Sequence, residues 1–358
     1  MRILVINGGS SSVKCALYEI ASDPPLDAEK PLWENHVELL DHEPGSEAST
    51  PMADALAGIV GAMAGHVDAV GHRIVHGGSA FRESTIVTPE VRADIAQQAD
   101  LAPEHNRREL EAIDLIGKVM GQSAKQIAVF DTAFHRTLPE QAYVYPGPYE
   151  WLERGIRRYG FHGINVEYVS GRAAEILGRE PSSLRLIVCH LGNGASVTAV
   201  EGGKSIDTSM GFTPLEGLMM GSRSGSVDPG ILIYLQRHGG MGADQLDQML
   251  NRQSGLLGIS GVSADMRDIL HEIDRRDERA KLAYDLYAYR LLKECGAMLA
   301  VLGGADAIIF TGGVGENCAP LRESVIHRLQ NLAPGIQTMV IHAEEEWAIA
   351  RECYRIGR

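Results

Sequence analysis

What most restricts this chain is a strand–turn–strand segment at its N-terminus. Ile3-Leu4-Val5-Ile6 reads as a buried strand, Asn7-Gly8-Gly9-Ser10-Ser11-Ser12 as a polar turn, and Val13 to Ile20 as a second strand. A strand directly after the Gly/Ser turn excludes Rossmann and P-loop units, which put a helix there. Lys14 also lacks the glycine that precedes a Walker lysine. The arrangement returns in mid-chain: Leu186 to Cys189, then His190-Leu191-Gly192-Asn193-Gly194, then Ala195 to Val200. Laying Ser12-Val13 over Ser196-Val197 also superposes Gly8 on Gly192. Self-similarity over so long a period predicts two related domains in tandem.

Other strands end in glycine or in a carboxylate. Ala69 to Val75 leads to His76-Gly77-Gly78, Ala307 to Phe310 leads to Thr311-Gly312-Gly313, and Ile127 to Phe130 ends at Asp131. Ligands of open α/β sheets gather at such strand ends. Helical patterning covers Pro89 to Asp100, Asn106 to Met120, Asn165 to Leu177, Ala243 to Leu250 and Asp277 to Leu302, and Ala55 to Gly65 reads as a packed helix. Strands alternating with helices give an α/β class. Residues 21–50 are polar, carry no period, and are expected to form a surface excursion.

Composition narrows the function. A formal net charge of −14 without a basic run argues against nucleic-acid binding. Five scattered cysteines without a CxxC read as reduced, mostly buried thiols of a cytoplasmic protein. Asn7 ends the first apolar run far short of a signal-peptide core, and Ala55 to Gly65 is too short to span a bilayer, so no membrane association is expected.

Eight segments, in order, resemble the acetokinase family: Asn7 to Lys14, Gly71 to Gly78, Phe130 to His135, Arg158 to Gly163, His190 to Gly194, Met220 to Gly225, Asp265 to Arg267, and Gly312 to Asn317. The resemblance implies two duplicated actin-like (ribonuclease H-like) domains, with mixed sheets flanked by helices and an interdomain cleft. It places an N-terminal domain over 1–131 with 346–358 returning to it, and a second over 132–345 with the nucleotide site and a dimer interface. It implies reversible in-line transfer between ATP and acetate, giving acetyl phosphate and ADP, by a cytoplasmic homodimer using Mg²⁺, with Mn²⁺ able to replace it.

The chemistry sets what the site must contain. A carboxylate acceptor, with a pKa of about 4 to 5, is ionised at neutral pH and needs no general base. The obstacle is an anion approaching a polyphosphate, which calls for fixed positive charge and positioning. By the resemblance, Arg73 clamps the carboxylate or the phosphate, and Arg223 stabilises the equatorial oxygens. His162 donates to the phosphoryl group, and Asp131 holds the metal through water or orients a catalytic partner. Asn7 and Glu345 are the metal-linked residues, with Glu344 adjacent in register. Ser10, Ser12 and Lys14 serve the phosphates. Val75, Phe161 and Pro214 line the acyl pocket. The nucleotide falls to His190, Leu191, Gly192, Asn193 and Gly194, to Asp265, Met266 and Arg267, and to Gly313, Val314, Gly315, Glu316 and Asn317. Asp265 and Arg267 also fit an ordinary i,i+2 surface pair.

Three departures from the family stand out. The chain is shorter than the common form. Ile164-Asn165-Val166 replaces a Thr-Ser-His, removing a second histidine. Glu104 stands where the family keeps a pocket leucine, and a carboxylate beside an apolar methyl is costly to desolvate. Either Glu104 turns outward or the acceptor is not acetate, and the reading taken is an altered acyl preference. Propionate or another short-chain acid is the alternative acceptor, and a non-catalytic actin-like nucleotide binder is the alternative class.

Overall fold

The computed structural model describes residues 1–8, 12–38, 66–98, 103–121 and 124–358, with the side chains of Ser12, Glu38 and residues 103–105 outside the description. The chain divides into two compact units. The first comprises Met1–Arg136, Gly163–Tyr168 and Glu344–Arg358, and the second Thr137–His162 and Val169–Ala343.

The first unit is built on β1 (Arg2–Gly8), β2 (Ser12–Glu19), β3 (Trp33–Glu38), β4 (Ala69–Ile74), β5 (Thr85–Ile86) and β6 (Lys125–Phe130). They form one mixed sheet in the order β3-β2-β1-β4-β6-β5. β1 pairs antiparallel with β2 and parallel with β4, and β4 pairs parallel with β6. β1 is buried along its middle on both faces, as a strand covered from two sides must be. Alternation sends Leu4 and Ile6 into a cluster with Ala112 and Ile116 of a helix we label α2 (Pro103–Met120), which follows α1 (Pro89–Gln97). The C-terminal helix Glu345–Gly357 packs on β1, β4 and β6, burying Trp347, Ile349, Ala350 and Cys353. Trp347 lies 5.3 Å from the Tyr18 ring.

The second unit repeats the scheme with β7 (Arg185–Leu191), β8 (Ala195–Glu201), β9 (Lys204–Thr208), β10 (Ala307–Thr311) and β11 (Gln337–Val340). Their order is β11-β10-β7-β8-β9. β7 pairs antiparallel with β8 and parallel with β10, which pairs parallel with β11. Within each unit the strand order is third, second, first, fourth, fifth, with β5 an added edge in the first. This is the duplication that the two glycine turns predict.

The polar stretch expected to form a surface excursion contains β3, which pairs with β2 from Leu17↔Trp33 to Ser12↔Glu38. Its pairing comes from the sheet and not from a hydrophobic period of its own. The helix expected over Ala55 to Gly65 lies outside the described residues. All five cysteines are free and buried. Among the described residues, no helix is long and apolar enough to cross a membrane.

Candidate functional site

In the first unit, three neighbouring parallel strands deliver polar groups to one end of the sheet. Asn7 closes β1, Arg73 lies at the end of β4, and Asp131 follows β6. Arg73 Nε and Nη2 donate to Asp131 Oδ2 at 3.1 and 2.5 Å, and Nη1 donates to Asn7 Oδ1 at 3.2 Å and to the Gly8 carbonyl at 3.3 Å. The Arg73 side chain is 12% exposed and Asp131 1%. Burial opposes the charge, but Asp131 and Glu345 outweigh it and hold the guanidinium pKa above its ordinary value. Asn7 Nδ2 in turn donates to Glu345 Oε2 at 3.0 Å and to Glu346 Oε1 at 2.8 Å. The amide thus meets two carboxylates, at 345 and 346, where the sequence pointed to 345 with 344 beside it.

Two carboxylates and an amide carbonyl are hard oxygen donors, the kind Mg²⁺ takes when water and phosphate oxygens complete its shell. Among the described residues no cluster of three or more His, Cys, Asp or Glu forms that could hold a metal ion. A cation at Asn7, Glu345 and Glu346 would therefore depend on oxygens from its substrate and from water.

Val75 is also in this unit, and its backbone is held by a residue the sequence reading missed. Val75 N–H donates to both oxygens of Glu109, at 3.1 and 3.2 Å. Glu109 projects from α2 and is 4% exposed. Burial pushes its pKa up to about 8, against the pull of nearby Arg73. His72, in the same motif as Arg73, belongs to the core: burial brings its pKa down to about 4.

The second unit gathers His162, His190, Ser196, Pro214 and Arg223 around the glycine turn after β7. His162 has φ 61°, ψ 19°, a left-handed conformation costing a non-glycine residue roughly 1–2 kcal/mol. Among the described residues only Arg276 shares a positive φ without being glycine. His162 Nδ1 lies 2.9 Å from Ser196 Oγ, and the His162 ring stacks on His190 with centroids 4.0 Å apart. In the tautomer in which the serine hydroxyl donates to Nδ1, the imidazole proton sits on Nε2. Arg223 Nη1 donates to the Pro214 carbonyl at 3.1 Å. A Cβ on Gly194 would lie 3.3 Å from His162 Nε2 and 3.5 Å from Arg223 Nη1. Glycine at 194 therefore keeps open a space that both donors border.

Phe161, assigned to the acyl pocket, is 1% exposed, and Leu191 is fully buried in β7. Gly192 and Asn193 form the turn, where Asn193 O accepts from Gly221 N at 3.3 Å. Gly313, Val314, Gly315, Glu316 and Asn317 lie in a short helix, Gly312–Asn317, directly after β10. Glu316 faces inward: its Oε1 accepts from Gly312 N at 2.9 Å and Ala343 N at 3.0 Å, and Oε2 pairs with His342. Its carboxylate shapes the turn. Asp265 caps the helix Met266–Asp274, accepting from Arg267 N at 2.8 Å, and Arg267, 88% exposed, folds back onto Asp265. Met266 is buried. Lys14 is exposed on β2, while Ser10 and the side chains of Ser12 and Glu104 lie outside the described residues. Val166, where a second histidine was expected by resemblance, is fully buried.

Comparison with known proteins follows the same lines. A family model described as the acetokinase family matches residues 2–345. An acetate kinase of Gloeobacter violaceus is 49% identical, covering 99% of each chain. The crystal structure of a Porphyromonas gingivalis acetate kinase superposes with a TM-score of 0.86 at 39% identity over 100% of each chain. A propionate kinase from Francisella tularensis superposes with a TM-score of 0.85 at 36% identity over 99% of each.

Proposed function

This chain belongs to the acetokinase family, and on that premise we propose that it catalyses reversible phosphoryl transfer between ATP and acetate. A carboxylate oxygen of acetate attacks the γ-phosphorus while the bond from that phosphorus to the bridging oxygen breaks, leaving acetyl phosphate and ADP. No proton moves, so no residue need act as a base. The observation that carries the reading is the pair His162 Nε2 and Arg223 Nη1, both within 3.5 Å of the position a Gly194 Cβ would take. Two donors converging on one oxygen-sized space suit a transferring phosphoryl group.

In this reading Arg73 binds an anionic oxygen of the acceptor or of the phosphoryl group, and Asp131 orients Arg73 rather than accepting a proton. Asn7, Glu345 and Glu346 are the groups that would hold Mg²⁺, which when bound offsets phosphate charge. The turns at 190–194 and 313–317 approach the nucleotide with backbone amides. Asp265 and Arg267 keep only an adenosine-edge role, since they are engaged with each other.

The helix Pro229–Gly239 supports a homodimer. It buries none of its residues and exposes Ile231, Ile233 and Tyr234. Buried free thiols support a reducing, cytoplasmic setting. The reverse reaction tests the proposal: acetyl phosphate and ADP with Mg²⁺ should yield ATP by luciferase luminescence, and no ATP above a protein-free control would refute it.

Glu104 and the likeness to a propionate kinase favour a second reading, in which a longer acid is preferred. Glu104→Leu should then raise the acetate-to-propionate ratio of kcat/KM. An unchanged ratio removes Glu104 from the argument.

A further inference from the structure

We propose that Arg158, with Glu216 and Tyr145, is a positioning residue for phosphoryl transfer: it fixes the 208–216 loop and, through Pro214, the guanidinium of Arg223. The inference rests on the function proposed above.

Arg158 stands four residues before His162 and donates with both terminal nitrogens. Its Nη1 reaches three successive carbonyls, Thr208, Ser209 and Met210, at 3.1, 3.0 and 2.9 Å. Its Nη2 donates to Glu216 Oε1 at 2.8 Å. The other Glu216 oxygen takes the Tyr145 hydroxyl, and that hydroxyl accepts from Phe212 N at 2.9 Å. Burial, and then the bond to Glu216, raises the Tyr145 pKa, so the phenol keeps its proton and donates.

The two chain segments are also joined directly. Tyr159 N and Gly160 N donate to the Gly211 carbonyl at 3.0 and 3.3 Å. The Glu216 carboxylate and the Tyr145 hydroxyl close so tightly over Gly211 that a Cβ there would come within 1.8 and 2.2 Å of them. The loop so held presents the Pro214 carbonyl to Arg223 Nη1. On its other side, the segment 158–160 runs into Phe161 and His162. Arg158 therefore sits where the segments carrying both proposed phosphoryl donors are tied together. Its side chain is 17% exposed and Glu216 34%, so the pair is partly shielded from water. A lysine cannot reproduce this. It offers a point charge on a flexible stem where four acceptors need a planar fork.

The test is a double-mutant cycle on kcat. Arg158→Lys, Glu216→Gln and Tyr145→Phe are each measured for kcat, KM for acetate and for ATP, and Tm, alone and combined with Arg223→Lys. We expect Arg158→Lys to lower kcat about 10- to 100-fold with each KM within about 3-fold, and to do no further harm when Arg223 is already lysine. Glu216→Gln and Tyr145→Phe should show the same pattern at smaller size, and they carry the test if Arg158→Lys does not fold. Losses that multiply with Arg223→Lys, or variants with lowered Tm and normal kcat, would overturn the inference. A wild-type enzyme inactive with every acid sinks the proposed function and this inference together. An active wild type with unaffected variants sinks this inference alone.

Discussion

A methyl group at residue 194 would stand 3.3 Å from His162 Nε2 and 3.5 Å from Arg223 Nη1. Gly194 does not have a left-handed φ, so alanine there is free of backbone strain. Gly194→Ala should therefore cost activity and spare the fold: kcat/KM falls about 100-fold or more, while Tm moves less than about 4 °C. Full activity would mean that the space between the two donors is not used. Glu109 gives a prediction on stability. Its pKa rises from an ordinary 4.5 to about 8 on folding. Between those values the native state keeps a proton that the unfolded chain releases, so stability falls as pH rises through that window. Glu109→Gln keeps an acceptor for Val75 N and has no proton to lose. Its Tm advantage over wild type should grow from pH 4.5 to 8 and level off above; a pH-independent difference would contradict this. Arg73, Asp131, His162 and Arg223 were legible because short motifs name them. Glu109 was not legible: it belongs to no motif, and its partner, Val75 N, lies 34 positions away in sequence. Tyr145 and Glu216 were not legible, since their bond joins positions 71 apart in sequence.

Among the elements, the central strands were readable and the edges were not. β1, β7 and β10 are continuous apolar runs because both faces of each sheet are covered. β3 and β11 are edge strands with largely exposed side chains, so their sequences carry no period and the neighbouring strand decides the pairing. The helix Pro229–Gly239 poses the opposite case, an apolar sequence with no buried residue. Tyr289 and Leu282 are likewise exposed, seven residues apart on one face of the helix Glu278–Leu302, and Arg290 ties that helix to the Ser226 carbonyl at 3.0 Å. Exposed apolar area of this kind marks an interface. We expect the native mass by light scattering to be that of a dimer, and the double variant Ile231→Glu, Tyr234→Glu to give a monomer with an unchanged far-ultraviolet circular dichroism spectrum. A wild-type monomer would contradict the assignment of this face.

For the molecule as a whole, a single superposed segment, Ser12-Val13 on Ser196-Val197, foretold a duplication that the strand order of both sheets bears out. The proposed chemistry divides along the same lines. The first unit supplies Arg73, held by Asp131 and Asn7, with Glu345 and Glu346 at the same amide. The second supplies His162 and Arg223. In the proposed reading both sets act as fixed donors and oxygen ligands, which is what a reaction without a proton transfer requires. The most direct measurement traps the product: ATP, Mg²⁺ and hydroxylamine are supplied with acetate, propionate or longer acids, and the acyl hydroxamate is quantified. Wild-type protein should form acetyl or propionyl hydroxamate in step with ADP, and Arg73→Ala and Arg223→Ala should each lose at least about 100-fold in rate. ADP release without hydroxamate from any acid, or arginine variants that trap as fast as wild type, would contradict the account.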